Sequence, residues 1–136
     1  MNKTASQEWL VKAWHHLSTA NILYGIEHYT DIIGVEIHYS IEITLKSLIM
    51  YENKALKKTH ELYEIYTMVK ELITLDEDEI KMLIQATEYH ILEAYPASHR
   101  RLPSREEIKQ ILDFTNKLFE DVCILLNISI EEIKAN

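Results

Sequence analysis

All three arginines of the chain lie close together. Arg100 and Arg101 stand in the segment YPASHRRLPS, residues 95–104, which also holds both prolines, and Arg105 follows it directly. A guanidinium group keeps its charge at any relevant pH and binds phosphate or carboxylate through two parallel hydrogen bonds. Free N–H groups of a helix that starts near Ser104 would add to the attraction for an anion. The segment predicts an anion-binding loop; the alternative is that these arginines pair with the acidic residues around them.

A second cationic stretch, KKTHEL, spans residues 57–62. Lys57, Lys58 and the imidazole of His60 come at a predicted helix start, where they could form a small cationic site. The alternative is a solvated linker with a histidine packed beside the helix cap. His99, directly before the arginines, is the histidine placed to act as a general acid or base if the loop is catalytic.

Sequence motifs for metal binding and for catalysis are weak or missing. Among the seven histidines, His60 and Glu64 could put two metal ligands on one helical face, whereas the adjacent His15 and His16 point to different faces. No H-E-x-x-H motif and no paired Glu-x-x-His motif occurs. The sequence also lacks a G-x-S-x-G elbow, a P-loop and a glycine-rich dinucleotide turn. We therefore predict no metal site, no cofactor and no familiar nucleophile.

Composition limits the class of protein. The chain has 136 residues, of which 47% are hydrophobic, with only two glycines and two prolines, which favours one domain of long helices over residues 1–136. The formal net charge of −8 argues against a protein coated in nucleic acid, although it allows a local basic patch. Cys123, the one cysteine, excludes an internal disulfide. No signal peptide and no apolar run of about 18 residues is visible, so we expect a cytoplasmic protein without a membrane span.

Helix starts are marked by the capping-box pattern, in which Ser or Thr is followed three residues later by Glu or Gln. The pattern occurs at Thr4, Thr74, Ser104 and Ser129. A further short helix is expected after Thr59, a plausible cap. Short links between such helices favour antiparallel neighbours. The sequence thus predicts an all-α fold, an antiparallel up-and-down bundle of about five helices.

One helix should be central. It is predicted to begin near Asp31 or Ile33 and to run to about Tyr51, and it is apolar on most of its circumference, as in a helix contacted on several sides. Glu42 and Lys46 stand four residues apart on it, with the glutamate first, which is the favourable order for a helical ion pair. On so apolar a helix the pair could be partly buried.

Three stretches together resemble the HEPN family of small helical bundles. The first helix, with Trp9, Ala13 and Ala20, looks like that family's opening helix. The stretch YSIEITLKSLIMYENKALKKTHEL, residues 39–62, is similar to the family's central region, in which a Glu and a Lys four apart precede a Lys-Thr-His-x-Leu segment. SHRRLPSREE is similar to the Arg-Tyr-Pro segment before the last helix, with a leucine in place of the tyrosine. The resemblance covers roughly residues 5 to 126.

The resemblance implies an antiparallel bundle, often a homodimer, that associates with nucleotides or RNA. Many such proteins act with a minimal nucleotidyltransferase, some as toxin–antitoxin pairs. Others are metal-independent ribonucleases with an arginine followed four to six residues later by a histidine. No histidine follows Arg100, Arg101 or Arg105, so the chain lacks that motif, which favours a protein that is not an enzyme and leaves the question open.

The sequence favours a binding module. In this interpretation Arg101 is the main anchor for a nucleotide or RNA phosphate, and Arg100, His60 and Lys58 assist it. The expected partners are a second copy of the chain and a nucleotidyltransferase. Two alternatives stay open: a ribonuclease that uses His99 and Arg101, and a module that only contacts another protein.

Overall fold

The computed structural model describes residues 1–94 and 102–136, and within them the chain forms helices and no strands. Four helices are long and two are short: α1 (Lys3–Gly25), α2 (Thr30–Tyr51), α3 (Leu62–Thr67), α4 (Glu77–Ala94), α5 (Arg105–Leu125) and α6 (Ile130–Lys134). The predicted all-α bundle is confirmed. No helix in these described residues is both long and apolar enough to cross a membrane.

Long helices that follow one another in the chain pack antiparallel. Contacts between them join the beginning of one helix to the end of the next: Asn2 with Tyr51 for α1 and α2, and both Tyr89 with Glu107 and Glu79 with Lys117 for α4 and α5. The buried apolar side chains of all six helices form one hydrophobic cluster. That residues 1–136 make a single domain stays a prediction, and one core is what such a domain requires.

The central position predicted for the second helix is confirmed. α2 contacts α1, α3, α4 and α5. Most of its apolar residues are buried, and Ile33, Ile37, Ile41 and Leu45 are at 0% exposure, although Ile32 is 45% exposed. Because neighbours surround this helix, its polar side chains are buried as well and must find partners within the bundle.

A glycine allows α4 to approach α2 closely. A Cβ atom added at Gly34 would lie 2.9 Å from Cγ of Tyr89, a side chain that is 3% exposed. Any other residue at this position would push the two helices apart or displace the tyrosine ring. The contact brings the α2 residues one turn after Gly34 against the last turns of α4.

Two of the four predicted capping boxes are correct. The hydroxyls of Ser104 and Ser129 each accept the N–H group three residues later, at 3.0 and 3.3 Å. The other two were wrong by two residues: Asn2 caps α1, and Asp76 and Glu79 cap each other's N–H groups at the start of α4. Carboxylate and amide side chains are caps at least as strong as a threonine, so they determine where these helices begin.

Arg105 joins the start of α5 to the end of α1. Its Nη2 donates to the carbonyl oxygen of Tyr24 at 2.8 Å, and its guanidinium lies 4.6 Å from the centre of the Tyr24 ring. The last carbonyl groups of a helix have no partner within it and carry partial negative charge. Arg105 therefore neutralises the C-terminal end of α1, and neither expectation for it, anion binding or pairing with acids, describes this contact.

We expect Arg105→Gln to lower the free energy of unfolding by about 1 kcal/mol, since a charged hydrogen bond to a helix end is lost. Urea unfolding measures the change. Lys109→Gln, which removes an exposed cation of the same helix paired with Asp113 at 3.2 Å, is the matched control and should change stability by less than about 0.5 kcal/mol. Equal effects would show that the contact with α1 adds nothing.

Candidate functional site

Polar side chains from three parts of the chain meet between α2 and α4. His38, Glu42 and Lys46 stand one turn apart on α2, His60 lies in the connection before α3, and His90 is near the end of α4. These five residues are called the Glu42 cluster below. The rings of His38 and His60 each stack on His90, with centroids 5.0 and 4.3 Å from it.

Glu42 is the centre of the cluster. Its Oε2 accepts a hydrogen bond from Nζ of Lys46 at 2.9 Å, and its Oε1 lies 2.9 Å from Nδ1 of His60 and 3.1 Å from Nε2 of His38. Burial is the largest single influence on the Glu42 pKa and raises it, but hydrogen bonds from His38, Lys46 and His60 together outweigh it and lower the pKa to about 2. The carboxylate is therefore ionised at neutral pH. The predicted Glu42–Lys46 ion pair is present and largely buried, at 8% and 12% side-chain exposure.

His38 is held on both sides by oxygen atoms. Its Nδ1 lies 3.1 Å from the carbonyl oxygen of Ala86 on α4, and its Nε2 faces Glu42. Both oxygens only accept, whereas a neutral imidazole has one N–H group. Contact with both oxygens therefore requires a second proton or another cation at Nε2. The ring is 0% exposed, so bulk solvent does not reach it.

His60 is oriented by the Glu42 carboxylate but reaches solvent. Its side chain is 55% exposed. A carboxylate that accepts from Nδ1–H fixes the tautomer and leaves Nε2 to take a proton, or, when protonated, to donate to an anion. His60 and Glu64, whose spacing could have supplied two metal ligands, do not pair, because Glu64 bonds to Lys57 and to the Thr59 hydroxyl.

Lys58 differs from Lys57 in having no partner among residues 1–94 and 102–136. Lys57 forms an ion pair with Glu64, which lowers the pKa of that carboxyl group. Lys58 is exposed and stands two residues before His60. Its positive charge is thus not neutralised by any described side chain.

His99, Arg100 and Arg101 lie outside the described residues, so their predicted roles stay predictions. Both flanks of their segment, however, are described, and they lie near the end of α4 that carries His90. α4 ends at Ala94, one turn or about 6 Å after His90. At the other flank, Glu107 in the first turn of α5 accepts a hydrogen bond from the Tyr89 hydroxyl. Burial and the Glu107 carboxylate raise the pKa of Tyr89, which keeps the phenol protonated as the donor.

Sequence analysis missed two members of the cluster. His38 precedes Glu42 by four residues, as Glu42 precedes Lys46, so the stripe His-x-x-x-Glu-x-x-x-Lys on one helical face was a usable signal. His90 offered no signal, because only the packing of α4 on α2 brings it to the others. Of the four predicted binding residues, the structure places His60 in the cluster, and Lys58 stands two residues before it in the chain.

Comparison with known proteins agrees with this architecture. The sequence profile of the HEPN domain matches residues 6–127. Among solved structures, the chain is similar to TT1696 from Thermus thermophilus, with a TM-score of 0.75 and 23% identity over 92% of this chain and 99% of that one. This likeness shows a shared fold. No curated protein sequence matches the chain significantly. Because the profile match spans most of its length, the chain belongs to the HEPN domain family.

Proposed function

We propose that this HEPN domain binds a phosphate group of a nucleotide or RNA where the arginine segment, residues 95–104, meets the Glu42 cluster. Arg101 is the main anchor and Arg100 assists it. The observation that carries the proposal is the position of the segment's two flanks, one ending a turn after His90 and the other bonded to Tyr89. A segment of ten residues fixed at both ends in this way has the Glu42 cluster within its reach.

Lys58 and His60 complete the proposed anion site. Lys58 supplies a positive charge that no described side chain neutralises, and His60, when protonated, supplies an N–H donor oriented by Glu42. A cluster of cations on one edge suits a protein with a net charge of −8, because the acidic remainder repels nucleic acid elsewhere. The expected ligand is therefore a nucleotide or a short single strand of RNA.

The proposal includes a protein partner. Relatives of this type act with a minimal nucleotidyltransferase, and we assign the chain to such a pair, in a system of the toxin–antitoxin type in the cytoplasm. We also propose a homodimer. Large apolar side chains that remain exposed near the α1–α2 turn, Ile22, Ile26, Tyr29 and Ile32, offer a contact surface for one of these partners.

Thermal unfolding with nucleotides and a short single-stranded RNA at millimolar concentration tests the proposal. A ligand at a hundred times its dissociation constant stabilises the folded chain by about 2.7 kcal/mol, which raises the midpoint by several degrees. We expect this increase in the wild type and its loss in Arg101→Ala. Lys81→Ala is the control and should keep the increase, because it removes an exposed lysine of α4 whose ion-pair partner is Glu77, at 3.9 Å.

Two outcomes would contradict the proposal. No increase for the wild type would exclude nucleotide binding at these concentrations, and an equal increase in Arg101→Ala would place the ligand elsewhere. Cleavage of the RNA is a third outcome with its own meaning. If His60→Ala abolished cleavage, the imidazole oriented by Glu42 would be the general base of a ribonuclease; if His99→Ala did, the alternative based on His99 would hold.

A further inference from the structure

We propose that His38, His60 and His90 bind a divalent transition metal ion of the Zn²⁺ class, with Oε1 of Glu42 as the fourth ligand. This inference goes beyond phosphate binding, does not depend on it, and departs from the prediction of no metal site. One ring nitrogen from each of the three histidines lies within 4.8 Å of the other two. Imidazole nitrogen and carboxylate oxygen are ligands that Zn²⁺ accepts in a four-coordinate site.

The distances require only small side-chain movements. Tetrahedral Zn²⁺ with bonds of about 2.0–2.1 Å holds its ligand nitrogens about 3.3 Å apart. His60 is the side chain that can move most readily, because it lies in a connection between helices and is 55% exposed. His38 on α2 and His90 on α4 are carried by packed helices, so they provide two fixed positions.

The surroundings of His38 favour metal binding at Nε2. Nδ1–H donates to the carbonyl oxygen of Ala86 at 3.1 Å, and a backbone carbonyl is a common partner of the second ring nitrogen in metal-bound histidines. With Nδ1 held in this way, the nitrogen left for a metal ion is Nε2. Nε2 lies 3.1 Å from Oε1 of Glu42, so a metal ion bound there takes the place of the proton that this contact otherwise requires.

Glu42 supplies the fourth ligand, and Lys46 orients its carboxylate. Lys46 holds Oε2 of the carboxylate at 2.9 Å, which orients the group and leaves Oε1 toward the histidines. A divalent ion with three neutral imidazoles and one carboxylate has a net charge of +1, and the Lys46 ammonium group raises the local charge to +2. Such a charge is tolerable at a site whose His60 side is open to solvent.

Zn²⁺ and Co²⁺ binding to untagged, metal-free protein tests the site. Calorimetry with Zn²⁺ should give one ion per chain. Co²⁺ should give the intense visible absorption of four-coordinate geometry. His60→Ala and His90→Ala should each weaken binding at least about 100-fold, more than the loss of an outer partner causes. His15→Ala is the matched control, because the His15 side chain is exposed and its ring contacts the carbonyl oxygen of Asn136, far in sequence from the three histidines; it should leave binding unchanged.

Several results would overturn the inference. They are no binding of either ion, a Co²⁺ spectrum of octahedral type in every variant, or equal weakening by His15→Ala and His60→Ala, which would indicate loose binding to surface histidines. His38→Ala is avoided because the buried ring supports folding. Arg101→Ala separates this site from the phosphate site: it should keep metal affinity whether or not it abolishes the thermal effect of nucleotides.

Discussion

Replacing Glu42 by alanine should lower the free energy of unfolding of the metal-free protein by about 3–5 kcal/mol. The substitution removes the acceptor for Lys46, His60 and His38 at once and leaves positive charge and N–H groups buried without a partner. Urea or guanidinium unfolding at pH 7 measures the change. Of the polar side chains on α2, Glu42 is the one with three donors, so its loss should be severe.

Glu36→Ala is the matched control for this prediction. Glu36 lies on the same helix and also bonds to a histidine, His16 at 3.0 Å, but both side chains are 22% exposed and water can replace the contact. Its loss should cost less than about 1 kcal/mol. If the two substitutions cost the same, the buried position and multiple donors of Glu42 add nothing, and the interpretation of the cluster as a tightly held carboxylate is wrong.

Acid should remove the contribution of Glu42. The hydrogen bonds place the folded-state pKa near 2, below the 4.5 of a free glutamate, a difference worth about 3 kcal/mol. The stabilisation that comes from this lowered pKa is fully present above pH 4.5, and it is lost as the pH falls from 4.5 toward 2. The stability difference between the wild type and Glu42→Gln should therefore be largest above pH 5 and shrink toward pH 2. A difference constant from pH 7 to 3 would contradict this.

The fold could be predicted from the sequence because its determinants are local or periodic. Few glycines and prolines, apolar spacing and capping residues indicate where helices begin and end, and an all-round apolar helix indicates a centre. The candidate site depends on tertiary packing instead. The Glu42–Lys46 pair is four residues apart and was found, whereas the bond between Glu42 and His60 spans 18 residues and needs the α2–α3 connection to fold back. Arg105 shows that closeness in sequence can also mislead. It was predicted to share the anion-binding role of Arg101, but it bonds to the carbonyl oxygen of Tyr24 instead.

Gly34→Ala should lower the free energy of unfolding by about 1–3 kcal/mol, although alanine is the better helix former. The new methyl group would lie 2.9 Å from Cγ and 3.3 Å from Cβ of Tyr89, atoms close to the backbone of α4 that cannot move away without moving the helix. His38 follows Gly34 by one turn, so a shift of α4 would also separate the His38 ring from Ala86 and His90. Urea unfolding gives the stability.

Gly25→Ala separates crowding from helix propensity. Gly25 ends α1, and nothing lies within 4 Å of a Cβ atom added there, so alanine should be neutral or stabilise by up to about 1 kcal/mol. Both variants replace a helical glycine by alanine, at the end of α1 and inside α2, and Gly34 is the one whose new methyl group meets Tyr89. If Gly34→Ala were as stable as Gly25→Ala, the α2–α4 interface would have room for a methyl group. The close approach would then not be what holds the histidines of the two helices together.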